Sequence, residues 1–264
     1  MNILKILDQL SDDKFFTQGI LTSNKKQSYN FGTQKQTSTI SRGSFASGSA
    51  MASKSSMLEP NDALTDALQL ALILEYLEDE YYAMGLGASS LIPSDDRVVF
   101  QQISQHEAAH VNFLRNTLTS LGQTPGAKPT FDFTVGGNFD PFGDYNQFLI
   151  LAQAFEDTGV RAYKGQAGNV TSNSTVLQAA LQIHSVEARH ASQVRRMRAN
   201  KGWIELGNGG NMPPATDPVY DGEGNTMQAG FDTGSAFGDA AGSAAYDEIL
   251  TGSQATAIAS LFIV

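Results

Sequence analysis

The stretches QHEAAHVNFL (residues 105–114) and SVEARHASQV (residues 185–194) share one spacing, in which a glutamate is followed three residues later by a histidine. Apolar residues recur in both at helical intervals, which predicts an α-helix for each. Helical residues three apart lie about 60° from each other around the axis, so both members of a pair point to one side. The two pairs are 80 residues apart and consist of Glu107, His110, Glu187 and His190.

A second repeated spacing occurs in LILEYLEDEYYAMGL (residues 72–86) and AFEDTGVRAYKG (residues 154–165). In each stretch a glutamate is followed seven residues later by a tyrosine, and the two copies are 81 residues apart. Two helical hairpins with the same spacing indicate an internal duplication with a pseudo-two-fold axis. The residues of this second spacing are Glu75, Tyr82, Glu156 and Tyr163.

Start and stop signals divide the middle of the chain into four long helices. Each is about 25 residues long, which corresponds to roughly 37 Å of α-helix. One longer connection, residues 122–143, separates the first two helices from the last two. This pattern predicts an all-α, four-helix bundle. The predicted helices cover about residues 60–87, 92–122, 144–168 and 174–202.

The core-facing stripe of every predicted helix carries a carboxylate near its middle. An unpaired buried carboxylate costs several kcal/mol or takes up a proton. Acids that converge from four helices therefore need a cation, and a neutral imidazole is a good ligand for a divalent transition metal. The chain has four histidines and no cysteine, which excludes disulfides, thiolate zinc sites and iron–sulfur clusters.

Together these motifs resemble the ferritin-like superfamily, in which two helices each supply a Glu and two others each supply Glu-x-x-His. Within it, the chain is similar to desiccation-related, stress-linked ferritin-like proteins, also through residues 202–232 and 246–264. The resemblance implies two iron ions, or alternatively two manganese ions, with Glu107 and Glu187 bridging them. The implied metal ligands are Glu75, Glu107, His110, Glu156, Glu187 and His190.

The resemblance also implies that Tyr82 and Tyr163 hydrogen-bond to ligand carboxylates across the bundle. Glu78 lies on the same stripe as Glu75 and competes with it as the ligand from the first helix. We favour Glu75 because only it keeps the spacing to Tyr82, and Glu78 then becomes a possible extra ligand.

Other polar residues near the motifs have both structural and functional interpretations. His184 precedes Glu187 by one helical turn. It either packs in the core or contacts a metal ligand, and the two interpretations are equally good. Asp157, like Asp79, either orients a ligand histidine or has a capping or surface role. His106 points about 100° away from Glu107, so we interpret it as structural. A solvated face or subunit contact is expected for Arg189, Arg195, Arg196 and Arg198.

Composition changes divide the chain into three parts. Residues 1–16 have the apolar spacing of a short amphipathic helix, and residues 17–56 are rich in Ser, Thr, Gln, Gly and Lys. Together, residues 1–56 are expected to form an N-terminal arm or linker. Residues 57–202 hold the bundle. Residues 203–264 form a turn-rich extension, with a short final helix at about 251–260 and an apolar end that we expect to pack on the bundle or on a neighbouring subunit.

The charge balance and the apolar pattern exclude two classes of partner. The chain has 17 Lys and Arg against 27 Asp and Glu, a formal net charge of −10, which argues against nucleic-acid binding. No stretch reaches the roughly 18 to 20 apolar residues needed to cross a bilayer. We expect a soluble protein without a recognisable signal peptide, and an exported or cell-surface location stays open.

These observations support two functional hypotheses. The first is a di-metal carboxylate protein that reacts with O₂ or H₂O₂ in stress protection, as a ferroxidase-like or manganese-catalase-like oxidoreductase. The second is a structural or protective assembly, such as a filament, in which the bundle is a scaffold and the metal stabilises it or is absent. Self-association would then use the N-terminal arm and the apolar C-terminus.

Overall fold

The computed structural model describes residues 62–264, in which four long helices form the main body. Asp62 caps the first helix by accepting a hydrogen bond from the Thr65 amide, and Asp144 and Asn173 cap the third and fourth in the same way. Pro93 precedes the second helix, whose first turn holds two acidic residues that favour a helix start. The helices are α1 (Ala63–Gly87), α2 (Ser94–Ser120), α3 (Tyr145–Gln166) and α4 (Ser174–Met197).

The helices pair as two hairpins, α1 with α2 and α3 with α4, and α1 meets α3 across the interior. Tyr82 near the end of α1 reaches Glu156 in the middle of α3, whereas Glu75 earlier in α1 receives Tyr163 from later in α3. These crossed pairs require α1 and α3 to run antiparallel. The predicted all-α bundle of two related hairpins is confirmed, and each long helix falls within its predicted range.

Two apolar layers fill the bundle, one on either side of a charged layer. Aromatic rings dominate the first, in which Tyr81 stacks on Phe148 with centroids 4.9 Å apart. Aliphatic side chains such as Leu68, Leu114 and Val176 form the second, at the opposite end of the helices. The carboxylates predicted from the helix stripes lie between these layers, where water is excluded from both directions.

The C-terminal extension forms short elements that pack on α1 and α3. Its ordered pieces are joined by turns and include one antiparallel two-stranded ladder, in which Met227 pairs with Asp232 and Gln228 with Phe231. Thr251 and Gln254 form a capping box at the start of the last helix. The elements of the extension are α5 (Asp217–Tyr220), β1 (Met227–Gln228), β2 (Phe231–Asp232), α6 (Thr233–Phe237), α7 (Asp239–Ser243) and α8 (Gly252–Ser260). A 3₁₀ turn at Pro214–Thr216 precedes α5, and another at Ala167–Val170 joins α3 to α4.

Arg161 of α3 binds this extension to the bundle. Its side chain is 1% exposed, and its Nε lies 2.7 Å from Glu223 Oε1. Its guanidinium also donates to four backbone carbonyls of the extension, which satisfies a buried charge that would otherwise be costly. The accepting carbonyls belong to Val219, Asp221, Glu248 and Ile249.

The apolar C-terminus packs on the bundle only in part. Phe262 is buried against Phe155 and Phe133 in the aromatic layer, and the Val264 amide donates to the Thr130 carbonyl. Val264 itself is 76% exposed.

Two predictions from the sequence concern membranes and the N-terminal arm. Within residues 62–264, no helix combines the length and apolarity needed to span a membrane. The predicted arm, residues 1–56, and the self-association assigned to it lie outside the described residues.

Gly165 provides a test of how the extension is attached. A Cβ at this position would lie 1.9 Å from the Leu250 carbonyl oxygen, so Gly165→Ala forces the extension away from α3. We expect a loss of about 1–3 kcal/mol in the free energy of unfolding in urea, together with faster proteolysis after residue 200.

Gly168→Ala is the matched control, because a Cβ there meets no atom within 4 Å. It should leave stability unchanged or raise it by up to about 1 kcal/mol. Equal stability of the two variants would show that the contact between α3 and the extension does not hold the chain together.

Candidate metal centre

The charged layer receives one carboxylate from each long helix and one imidazole from each of α2 and α4. The four glutamate side chains are fully buried, and the two histidines are 9% and 5% exposed. The helical spacing explains this placement, since each Glu-x-x-His pair occupies one face of its helix. The six side chains that meet here are Glu75, Glu107, His110, Glu156, Glu187 and His190.

The first half of the site surrounds the Nδ1 atom of His110. This nitrogen lies 3.2 Å from Glu75 Oε2 and 3.0 Å from Glu107 Oε2. It also lies 3.1 Å from Oε1 of Glu187, which belongs to the other hairpin. One ligand atom from each of these four residues lies within 4.8 Å of the others, which is a geometry that can hold one metal ion.

The second half surrounds the Nδ1 atom of His190 in the same way. Its distances are 2.9 Å to Glu107 Oε1, 3.2 Å to Glu156 Oε2 and 3.6 Å to Glu187 Oε2. Glu107 and Glu187 thus contribute to both halves, each with one carboxylate oxygen toward either histidine. This sharing is what two adjacent cations with two bridging carboxylates require.

Several atoms in this layer have close neighbours but no hydrogen bond. His190 Nδ1 is within ion-pair distance of three carboxylates, yet it forms a hydrogen bond with none of them. Buried polar atoms without partners are costly, so their concentration at one point needs an explanation. Cations between the carboxylates would satisfy them, and the ligand types suit iron or manganese. The unpartnered carboxylate oxygens are Oε1 of Glu107, Oε2 of Glu156 and both oxygens of Glu187.

Two tyrosines fix the outer carboxylates across the bundle. The hydroxyl of Tyr163 in α3 donates to Glu75 Oε1 in α1, and the hydroxyl of Tyr82 in α1 donates to Glu156 Oε1 in α3. Both tyrosines are buried, so these bonds do not compete with water. Each bond leaves the second carboxylate oxygen directed at a histidine, as a metal ligand would require.

The carboxylates change the protonation of the histidines. Burial alone would lower the pKa of His110, but the carboxylates of Glu107, Glu187 and Glu75 around its Nδ1 outweigh burial and raise the pKa from 6.5 to about 12. Burial also lowers the pKa of His190, but the negative charge of Glu156 outweighs burial, so that this pKa is raised as well. In the metal-free protein, protons therefore neutralise part of the charge that metal ions would neutralise.

The glutamates divide into two groups by the direction of their pKa shifts. Burial and repulsion from Glu187 raise the pKa of Glu75 and Glu78 well above 4.5, and burial does the same to Glu156. Burial also acts on Glu187, but the nearby imidazoles of His110 and His190 overcome it and lower its pKa to about 2. Glu187 is thus held in its charged form.

Glu78 lies beside the layer but belongs to neither group of four. Its side chain is 2% exposed, and its Oε1 lies 3.4 Å from where a Cβ of Gly159 would stand. The offset of 81 residues pairs Glu78 with Gly159, just as it pairs Glu75 with Glu156. The first hairpin thus has an extra carboxylate at a position where the second hairpin has a glycine.

The structure shows the surroundings of four other polar residues near the motifs. Asp157 does not orient a histidine, because its carboxylate pairs with Arg195 of α4 and accepts from Tyr220 at 2.7 Å. Arg195 is correspondingly 3% exposed, which corrects the expected solvated role for this arginine. Of the two interpretations of His184, the structure supports packing, since its Nδ1 bonds to the Val160 carbonyl at 3.0 Å. Asp79 is half-buried and has no hydrogen bond to a histidine among the described residues.

His106 is a site neighbour that the sequence analysis interpreted as structural. Its Nδ1 lies 2.9 Å from Nε2 of His190, and the two rings stack with centroids 5.2 Å apart. The packing of α4 against α2 brings His190 to the side of α2 on which His106 lies. No spacing within one helix carries that information.

The comparisons with known proteins agree with this architecture. A family model described as a ferritin-like domain matches residues 63–200, which is just over half of the chain and includes all four long helices. The chain therefore belongs to the ferritin-like domain family. A search of curated proteins found no match.

The protonation pattern predicts how the stability of the metal-free protein depends on pH. Glu75, Glu78, Glu156 and the two buried histidines all keep protons to higher pH in the folded chain than in the unfolded one. The free energy of unfolding should therefore fall as the pH rises from about 5 to 8, by about 1.4 kcal/mol per pH unit for each extra proton held.

Urea unfolding at several pH values, with a chelator and then with Mn²⁺, measures this dependence. Added metal should flatten the slope, because it replaces the protons as the balancing charge. A metal-free stability that increases over this pH range would contradict the assigned protonation of the layer.

Proposed function

We propose that this ferritin-like protein binds two metal ions between its four helices and uses them to reduce dioxygen or hydrogen peroxide. One observation carries the proposal: the two groups of ligand atoms, each within 4.8 Å, share Glu107 and Glu187. A single buried ion pair would not need the same two carboxylates to face two histidines. The family membership supports the fold of the site, and the donor set supports iron or manganese.

When bound, two Fe(II) ions supply two electrons, so that O₂ and two protons give H₂O₂, or H₂O₂ and two protons give two waters. Glu107 and Glu187, which each face both histidines, would balance the charge of both ions. Tyr82 and Tyr163 hold the outer carboxylates in place, which reduces the reorganisation needed on ion binding. Manganese accepts the same ligands, and with it the corresponding activity is disproportionation of peroxide.

We extend the proposal to stress protection through the resemblance of the C-terminal extension to desiccation-related ferritin-like proteins. Removing Fe(II) and peroxide together limits the formation of hydroxyl radicals. The extension packs on α1 and α3, the helices that carry Glu75 and Glu156, and Arg161 of α3 binds it by hydrogen bonds. Its role in this proposal is to keep those helices and their carboxylates in register.

Metal analysis and Fe(II) oxidation test the proposal. The purified protein should bind two metal ions per chain and oxidise anaerobically loaded Fe(II) on addition of O₂ or H₂O₂. A Glu107→Gln, Glu187→Gln double variant should lose both ions, because it neutralises both shared carboxylates while keeping their shape.

Glu80→Gln is the matched control, because Glu80 also lies on a long helix, α1, but pairs with Lys128 outside the layer. It should bind two ions as the unaltered protein does. A protein that binds no metal and oxidises Fe(II) no faster than buffer would refute the proposal, and a double variant that still binds two ions would refute the site assignment.

Two further variants test which glutamate of α1 is the metal ligand. Glu75→Gln should reduce the bound metal to about one ion per chain, because it removes a member of the His110 group. Glu78→Gln should leave two ions, since Glu78 belongs to neither group. The reverse result, measured by metal content after gel filtration, would transfer the ligand role from Glu75 to Glu78.

A further inference from the structure

The two halves of the duplicated site differ on the outer side of their histidines. His190 Nδ1 faces the carboxylates, so its Nε2 points away from them and lies 2.9 Å from Nδ1 of His106. The two rings are nearly parallel, with an angle of 10° between their planes. On its far side, His106 Nε2 lies 2.8 Å from the side-chain amide of Gln102, one turn earlier on α2. His190 is thus held by a chain of side chains from another helix.

His110 has no equivalent support. The 80-residue offset that relates Glu107 to Glu187 places Val186 at the position corresponding to His106. A valine side chain cannot accept or donate a hydrogen bond. Among residues 62–264, no side chain hydrogen-bonds to Nε2 of His110, whose side chain is also more exposed than that of His190, at 11% against 6%.

A metal ion on His190 would determine the direction of these hydrogen bonds. A histidine that binds an ion through Nδ1 carries its proton on Nε2, so His190 would then donate to Nδ1 of His106. His106 would then carry its own proton on Nε2, which lies 2.8 Å from the side-chain amide nitrogen of Gln102. Donation of this proton requires the Gln102 amide to turn its oxygen to that position. The contact with His106 therefore fixes the ring plane of His190 and keeps Nδ1 of His190 facing the carboxylates.

We propose that His106 is a positioning residue that makes the Glu156–His190 half the tighter of the two metal positions. The inference rests on the proposed function, because it assumes that the layer binds two ions. Hydrogen-bonding partners of ligand histidines typically change metal affinity by about 10–100-fold. A difference of that size between two positions would make them fill in order, with the Glu156–His190 position first.

Anaerobic titration with Co²⁺, followed by calorimetry and by visible absorbance, tests the inference without an activity measurement. The unaltered protein should bind two ions with unequal affinities. His106→Val copies the residue of the other half and should weaken the tighter binding by about 10–100-fold while leaving the weaker one unchanged.

Two companion variants separate hydrogen bonding from packing. His106→Asn keeps a short side chain with an acceptor and should restore part of the lost affinity, which a purely steric role would not produce. Val186→His, added to His106→Val, should create a new tight position at the Glu75–His110 half. Adding Glu75→Gln to this double variant should then remove the new tight binding, whereas Glu156→Gln should not.

The outcomes distinguish this inference from the proposed function. Two ions bound with equal affinities, or a tight constant that changes less than about threefold in His106→Val, would overturn the positioning role alone. Absence of any Co²⁺ binding by the unaltered protein would overturn both. Thermal unfolding of each metal-free variant shows whether the chain is folded, and His106→Asn provides the comparison if His106→Val is not.

Discussion

The electrostatic balance of one buried layer constrains the rest of this structure. Four fully buried glutamates and two histidines lie between two apolar layers, and several of their atoms have no hydrogen-bond partner. Such a layer is stable only if protons or metal ions compensate its negative charge. The raised pKa values of Glu75, Glu156 and both histidines mean that protons compensate this charge in the metal-free protein. In the proposed function, metal ions take over this compensation.

The antiparallel arrangement of α1 and α3 lets the same motif serve both halves. Tyr82 reaches Glu156 and Tyr163 reaches Glu75, so each hairpin fixes the outer carboxylate of the other. The duplication is not perfect. Glu78 faces the space left by Gly159, and His106 supports His190 where the corresponding residue is Val186. A nearly symmetric scaffold thus holds two positions in different surroundings.

The C-terminal extension was predicted from composition to be irregular, and its attachment could not be read from composition. Arg161 lies in the middle of α3 and looks like one charge among apolar neighbours in the sequence. In the structure it donates to four backbone carbonyls that lie about 60 to 90 residues away along the chain. No other described side chain of α3 donates to as many distant carbonyls. Asp157 and Arg195 similarly pair across α3 and α4.

The sequence by itself determined the helices, their order and the residues of the central layer, because helical periodicity and the repeated spacings are local properties. Glu107 and His110 had to share a face whatever the packing. Tertiary structure alone decided which helices face each other, and therefore that His106 contacts His190, that Asp157 binds Arg195, and that Glu78 stands apart from the two groups of ligand atoms. Those contacts depend on distances between helices, which no spacing along one helix encodes.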